Sequence, residues 1–172
     1  LEQQGWKFRT TSDTEVILLS FLQYGPEFVE KLDGIFAFAI WDERHETLYL
    51  YRDSFGIKPL FYTRQGETVI FGSEPKAILA CPDVRAEIDR EGLNEPLGMG
   101  RARIPGSGIY SGFHGVKPDC NLSIGEYGVQ NHCYWHLVSR PHEDDYNTTI
   151  EKTREMLTGA IQRQMVSDVP IG

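Results

Sequence analysis

No apolar run in this 172-residue sequence approaches the roughly 18–20 positions a membrane-spanning helix needs, so a helical span is excluded. The opening Leu1-Glu2-Gln3-Gln4 has neither the basic nor the apolar stretch of a signal peptide. An initiator methionine is missing too, and the expectation is a piece of something longer. Cysteine is scarce. Cys81, Cys120 and Cys133 are odd in number and thinly spread, which is not a disulfide framework, and a reducing cytoplasm is the simple expectation. Positive charge is in short supply: 17 Lys and Arg face 25 Asp and Glu, for a net charge of −8 and a pI near 5.1. Such a surface repels phosphate backbones and anionic bilayers, so neither nucleic acid nor membrane is expected as a partner. Internal repeats and low-complexity tracts are absent as well.

What is present is a globular composition. Hydrophobic residues make up 40% and charged residues 24%, enough for a core in one domain or one and a fraction. Thr14 to Tyr24 reads as an amphipathic helix: Val16, Ile17, Phe21 and Tyr24 recur near helical spacing, behind a Ser12-Asp13-Thr14-Glu15 capping box and before Gly25-Pro26. A short turn covers Glu27 to Leu32. Ile35 to Trp41 is a continuous apolar run, read as a strand buried on both faces, and Leu48 to Tyr51 returns as its partner. Leu60-Phe61-Tyr62 and Thr68 to Phe71 form a second hairpin around Gln65-Gly66, which gives a meander of about four antiparallel strands. Ser73 is read as the N-cap of a helix with Pro75 in its first turn, ending by Cys81-Pro82. Asp89 to Leu97 is read as another helix and Gly98 to Gly115 as a long loop. Leu122 to Ile124 and Cys133 to Trp135 are read as a hairpin, His142 to Asn147 as a polar linker, and Thr149 to Val166 as a last helix. Segregated strands and helices point to an α+β fold.

Several segments together resemble one family. Asp33-Gly34-Ile35-Phe36-Ala37-Phe38-Ala39-Ile40-Trp41-Asp42 is similar to the strand of class II glutamine amidotransferases of the asparagine synthetase type. Arg52-Asp53-Ser54-Phe55-Gly56-Ile57-Lys58-Pro59-Leu60-Phe61-Tyr62 resembles that family's R-D-x-x-G-I-K-P-L-Y-Y stretch. Phe71 to Ala77 resembles its A-S-E-x-K-A segment, and Tyr134-Trp135 its Y-W. Ser167 to Gly172 resembles the segment just before the synthetase nucleotide-binding loop. Arg101 to Gly115 resembles a bacterial subgroup. One departure stands out: where the family has P-G-H-x-L, Lys117 to Leu122 reads as a shortened version.

The resemblance implies an incomplete N-terminal-nucleophile hydrolase sandwich, α-β-β-α with antiparallel sheets. It assigns residues 1–137 to the C-terminal part of the glutaminase domain. It assigns 138–172 to the linker and first helix leading to a missing ATP-dependent synthetase domain. In the parent enzyme, an N-terminal cysteine splits glutamine to glutamate and ammonia, with its own α-amine as base. Ammonia then displaces AMP from β-aspartyl-AMP, made with ATP and magnesium in the second domain. The resemblance places the nucleophile before Leu1 and the pyrophosphate loop after Gly172. This chain is thus expected to hold no catalytic residue and no cofactor, and to be inactive alone. Its expected partners are the missing N-terminal glutaminase segment, the synthetase domain and glutamine.

Asp13 falls where the family holds glutamine's α-amino group, and a carboxylate fixed at a helix N-terminus suits an ammonium. Spacing alone reads Asp13 as a cap, and both roles can hold. Arg52-Asp53 reads as an ion pair fixing the exit from a strand, Gly56 as a residue whose backbone conformation excludes a side chain, and Lys58-Pro59 as a guide for the next strand. His132, Cys133 and His136, with Cys120 or His114 as a fourth ligand, match no zinc spacing, so no metal site is assigned. Cys81 reads as a small buried hydrophobe. The aromatic strands read as core, not as a stacking platform for bases.

Alternative readings are a related synthetase with another acceptor, or a non-catalytic interaction module. A fragment that leaves strand edges and apolar faces uncovered should self-associate. Sedimentation at micromolar concentration is expected to show species larger than the monomer.

Overall fold

The computed structural model describes residues 1–88, 90–99 and 106–165. The chain divides into two compact units, Leu1–His136 and Leu137–Gly172.

The first unit holds both sheets. Helix α1 (Asp13–Tyr24) runs into a 3₁₀ segment, Gly25–Lys31. Strands β1 (Ala37–Asp42) and β2 (Thr47–Arg52) follow, then β3 (Phe61–Gln65), β4 (Thr68–Gly72) and the short α2 (Pro75–Leu79). After α3 (Arg90–Met99) come β5 (Phe113–Gly115), β6 (Cys120–Gly125) and β7 (Gly128–Cys133). The four-strand meander expected from the sequence is not formed. Its two hairpins belong to different sheets, one ordered β1-β2-β6-β7 and the other β4-β3-β5, with every pairing antiparallel.

Alternation along the strands explains the layering. On β1, Ala37 and Ala39 face one way, and Phe38 and Ile40 the other. The alanine face joins Leu48, Leu50, Leu122 and Ile124 against Leu60, Tyr62, Val69 and Val116, so the two sheets pack on each other through small and aliphatic side chains. The aromatic face packs Phe38, Ile40, Tyr49 and Tyr51 against Ile17 and Phe21 of α1 and Phe28 and Val29 of the 3₁₀ segment. The outer face of the second sheet, Phe61, Ile70 and Phe113, covers Ile78 of α2. The order of layers is therefore helix, sheet, sheet, helix, an α+β sandwich of the N-terminal-nucleophile hydrolase kind. β1 is an edge strand and is packed on both faces except at Trp41, which is exposed.

Phe28 sits at the centre of the aromatic layer. It is fully buried, with ring centroids 6.0 Å from Phe21, 6.0 Å from Phe38 and 5.4 Å from Tyr51. Tyr51 is also fully buried and donates its hydroxyl to Pro26 O at 3.1 Å, and burial pushes its phenol up. The apolar stripe of α1 is only half used. Ile17 and Phe21 pack inward, while Leu18 and Leu22 are exposed.

Local details differ from the sequence expectations in physically simple ways. Ser12 is the N-cap and accepts from Thr14 N, but Glu15 does not close a capping box. Its carboxylate reaches back to Arg9 N (2.9 Å), Thr10 N (2.7 Å) and Thr10 Oγ1 (2.6 Å). Helix α2 is capped at Glu74, not Ser73, and Pro75 opens it. The long loop expected over 98–115 gives up its ends to α3 and to β5; Asp89, Pro105 and residues 100–104 lie outside the described residues. Tyr134 and Trp135 lie beyond the end of β7. Gly66, first of the two residues joining β3 and β4, has φ 64, as a two-residue turn of the II′ kind requires.

The second unit, described through Met165, is helix α4 (Tyr146–Gln164) with its lead-in. It starts earlier than expected because Asp145 caps it, accepting from Asn147 N at 2.9 Å and Thr148 N at 3.2 Å. Its apolar side, including Met156, Leu157 and Ile161, is exposed.

Replacing Phe28 by Ala should lower unfolding stability by about 3–5 kcal/mol in urea titration, whereas Leu18→Ala on the open side of α1 should cost under ~1 kcal/mol.

Candidate functional site

Asp13 is the first residue of α1. Of the acidic residues in that turn, Glu15 is committed to the preceding loop, and its carboxyl is held below the ordinary value chiefly by the Thr10 hydroxyl. Ser12 serves the cap. The Asp13 side chain is exposed and makes no hydrogen bond or ion pair among the described residues. It is not part of the broad cavity at the other end of α1. That cavity, about 690 Å³, is lined by Leu18, Phe21 and Leu22 of the helix and by Ile40, Trp41 and Tyr49 of the sheet. Its rim carries Asp42 and His45, paired at 2.7 Å, and this hydrogen bond lowers the Asp42 carboxyl.

The second assembly is the loop after β2. Arg52 and Asp53 do not form the expected ion pair with each other. Successive residues leaving a strand point to opposite sides. Asp53, buried to 2% exposure, accepts from three backbone N–H groups: Phe55 (3.2 Å), Ile57 (3.0 Å) and Lys58 (3.0 Å). Arg52 donates to three backbone carbonyls: Lys58 (2.8 Å), Val116 (2.6 Å) and Gly56 (2.7 Å). Gly56 has φ 62, and a Cβ there would stand 2.8 Å from Pro118 Cγ and 3.0 Å from Arg52 Cζ. A side chain is thus excluded by both conformation and space. Tyr134 donates its hydroxyl to Arg52 O, and burial pushes this phenol up to about 12. Trp135 lies against Phe55 with centroids 5.3 Å apart.

The third cluster is Asp119, Cys120 and Cys133. Contrary to the sequence expectation, two of the three cysteines are joined, as a Cys120–Cys133 disulfide directly across the β6–β7 ladder. Sequence reading missed it because only the strand register brings together residues 13 apart. His114 belongs to the other sheet, its ring tilted against Tyr62 with centroids 5.4 Å apart, and does not join the cysteines. Asp119 has φ 57, a left-handed value that glycine adopts freely and other residues rarely do. In the second unit, His142 Nε2 lies 2.6 Å from Thr149 Oγ1, a pairing that resembles a base and its nucleophile. Thr149 already donates its only hydroxyl proton to Asp145 O at 2.7 Å, so it can only accept from His142, and the pair belongs to the helix start.

A family model for the glutamine amidotransferase domain matches residues 1–135. The chain belongs to this glutamine amidotransferase family. It is 44% identical over 171 residues to glutamine-hydrolyzing asparagine synthetase 3 of Bacillus subtilis (strain 168), a match covering 99% of this chain and 28% of that protein. Glutamine-hydrolyzing asparagine synthetase 1 of the same organism is 34% identical over 173 residues, covering 100% of this chain and 27% of its own length. Amidase chry2 of Gibberella zeae is 29% identical over 175 residues, with 96% of this chain and 25% of that protein covered. The amidotransferase chain thus spans under a third of the length of each of these relatives. Among solved structures, glutamine phosphoribosylpyrophosphate amidotransferase from B. subtilis, complexed with ADP and GMP, superposes with a TM-score of 0.53 at 22% identity. That match covers 81% of this chain and 26% of the other, and it shows the shared fold. Among the described residues of the amidotransferase chain, no helix is long and apolar enough to cross a membrane.

Asp53→Asn would turn an amide N–H₂ toward backbone donors and leave at least one of them unpaired in a buried site. A loss of about 2–4 kcal/mol in urea unfolding is expected, with the aromatic layer around Phe28 retained in near-UV circular dichroism.

Proposed function

We propose that this chain is the glutaminase-side portion of a longer glutamine-hydrolysing asparagine synthetase, and that Asp13 binds glutamine's α-ammonium group. The observation that carries the reading is the division of labour at the start of α1. Ser12 caps the helix and Glu15 ties the loop, so the Asp13 carboxylate has no structural partner among the described residues. An exposed, unpaired carboxylate on a fixed helix end is suited to select a substrate ammonium. In the longer protein the ammonia released from glutamine amidates aspartate through β-aspartyl-AMP.

ATP and magnesium belong, on this reading, to the synthetase portion of the longer protein. The described residues offer magnesium no fitting donor set. Their one group of three clustered ligand types is Asp119 with two disulfide-bonded sulfurs, whereas magnesium takes oxygen ligands in octahedral geometry. The likeness to amidase chry2 favours, as a second reading, a related enzyme that delivers ammonia to another acceptor. Assays of the longer protein with aspartate and with other carboxylate acceptors separate the two.

In the longer protein, Asp13→Asn is expected to raise the glutamine KM by about ten- to a hundredfold, the loss of one charge-assisted contact. Ammonia-dependent synthesis should be unchanged. Ser12→Ala should lower stability by about 1 kcal/mol and leave the glutamine KM near its original value. Equal loss of glutamine- and ammonia-dependent synthesis in Asp13→Asn would assign Asp13 to structure.

A further inference from the structure

We propose that the Cys120–Cys133 pair is a reversible thiol–disulfide modification site for a small-molecule thiol of the glutathione class, with Cys133 as the attacked sulfur and Cys120 as the leaving sulfur. Three observations carry it. First, Cys120 and Cys133 are exact register partners on β6 and β7, with a Cα–Cα separation of 4.0 Å, the close type of antiparallel pair. The ladder itself holds the sulfurs facing each other, so the bond can open and close without a change of fold. Second, access is one-sided. Cys133 lies on the exposed edge strand β7, whereas Cys120 is 1% exposed. This difference in exposure directs an incoming thiolate to Cys133. Third, Asp119 Oδ1 lies 3.0 Å from Cys120 Sγ. A disulfide sulfur has no proton to give that oxygen, while a Cys120 thiol donates to it. The half-buried carboxylate therefore gains a hydrogen bond only in the reduced state, which favours opening.

The chemistry balances with the thiol as reductant. A thiolate attacks Cys133 Sγ, forming a new S–S bond as the Cys120–Cys133 bond breaks, and the electron pair leaves on Cys120 Sγ. That sulfur takes a proton from solvent and becomes the thiol that donates to Asp119. A second thiolate then attacks the small-molecule sulfur of the mixed disulfide and releases Cys133. In total, two small thiols give up two electrons and two protons to the protein and become one small disulfide. Oxidation by the small disulfide runs the same steps backwards.

The test equilibrates the native chain in mixtures of reduced and oxidised glutathione, quenches with acid, alkylates the thiols and reads intact mass. Interconversion of a form with two extra free thiols and the disulfide form is expected, with the midpoint at ratios lying between those of reducing and oxidising cell compartments. Cys133→Ser should abolish the two-electron transition. Asp119→Gly, compatible with the positive φ, should move the midpoint about fivefold toward the disulfide, the effect of losing one hydrogen bond to the thiol. The proposal is overturned if the disulfide survives millimolar reduced glutathione until the chain is unfolded, or if the thiols survive oxidised glutathione. It is equally overturned if native mass shows the reduced pair holding a stoichiometric zinc ion, or if Asp119→Gly leaves the midpoint in place.

Discussion

Everything in the first unit hangs on how the chain passes between its two sheets, and that passage is held by one buried carboxylate. The chain leaves the first sheet at Arg52 and enters the second at Phe61; it returns between Gly115 and Cys120. The two crossings lie side by side. Asp53 folds the outgoing one by taking up three of its N–H groups. Arg52 binds carbonyls of both, Gly56 and Lys58 on the outgoing strand and Val116 on the returning one. Backbone bonds from Val116 N to Leu60 O (2.9 Å) and from Asp119 N to Asp53 O (3.2 Å) complete the seam. A buried charge is costly unless its partners are fixed. Here each partner is a backbone group whose place the fold determines, so the charges specify the crossing, and a slip in either strand would strand them.

The same seam shows what could be read from the sequence. The R-D-x-x-G-I-K-P-L run marked a special loop, and Gly56 was identified as a position that excludes a side chain. Adjacent opposite charges invited an ion pair, but alternation sends Arg52 and Asp53 to opposite sides of the chain, where each finds backbone. Strand positions in both early hairpins were legible from apolar pattern. Their separation into two sheets was not, because a hairpin's local pattern is the same whether the next hairpin extends its sheet or covers it. The deciding signal is the small Ala37 and Ala39 alternating with Phe38 and Ile40: small residues where two sheets meet, large ones where a helix covers the sheet. β5 was missed because three residues are too few for any periodicity to register.

At Asp13 the sequence offered two roles and local spacing could not separate them. A cap and a ligand carboxylate occupy neighbouring positions at a helix start. The structure adds where the other polar side chains of the turn spend their hydrogen bonds: Ser12 caps the helix and Glu15 binds the preceding loop. Glu15 departs from the capping box because the Arg9–Thr10 loop offers it three donors, more than the helix end does. The ligand role proposed for Asp13 thus rests on contacts made by its neighbours, which no residue spacing encodes.

The cysteine pair and the seam are joined through Asp119. Its N–H donates to Asp53 O, its carbonyl accepts from Tyr134 N at 2.9 Å, and its carboxylate faces Cys120 Sγ. Tyr134 in turn closes on Arg52 O. A residue at φ 57 without being glycine is held there by its surroundings, and three contacts converge on this one. Burial raises the Asp119 carboxyl, so its charged form is already disfavoured and a donor at Cys120 relieves it. The bond state of the two sulfurs therefore acts first on the residue that links the hairpin to the crossing. Because the ladder register persists in either state, the consequence falls on the electrostatics of the seam and not on the topology of the sheets.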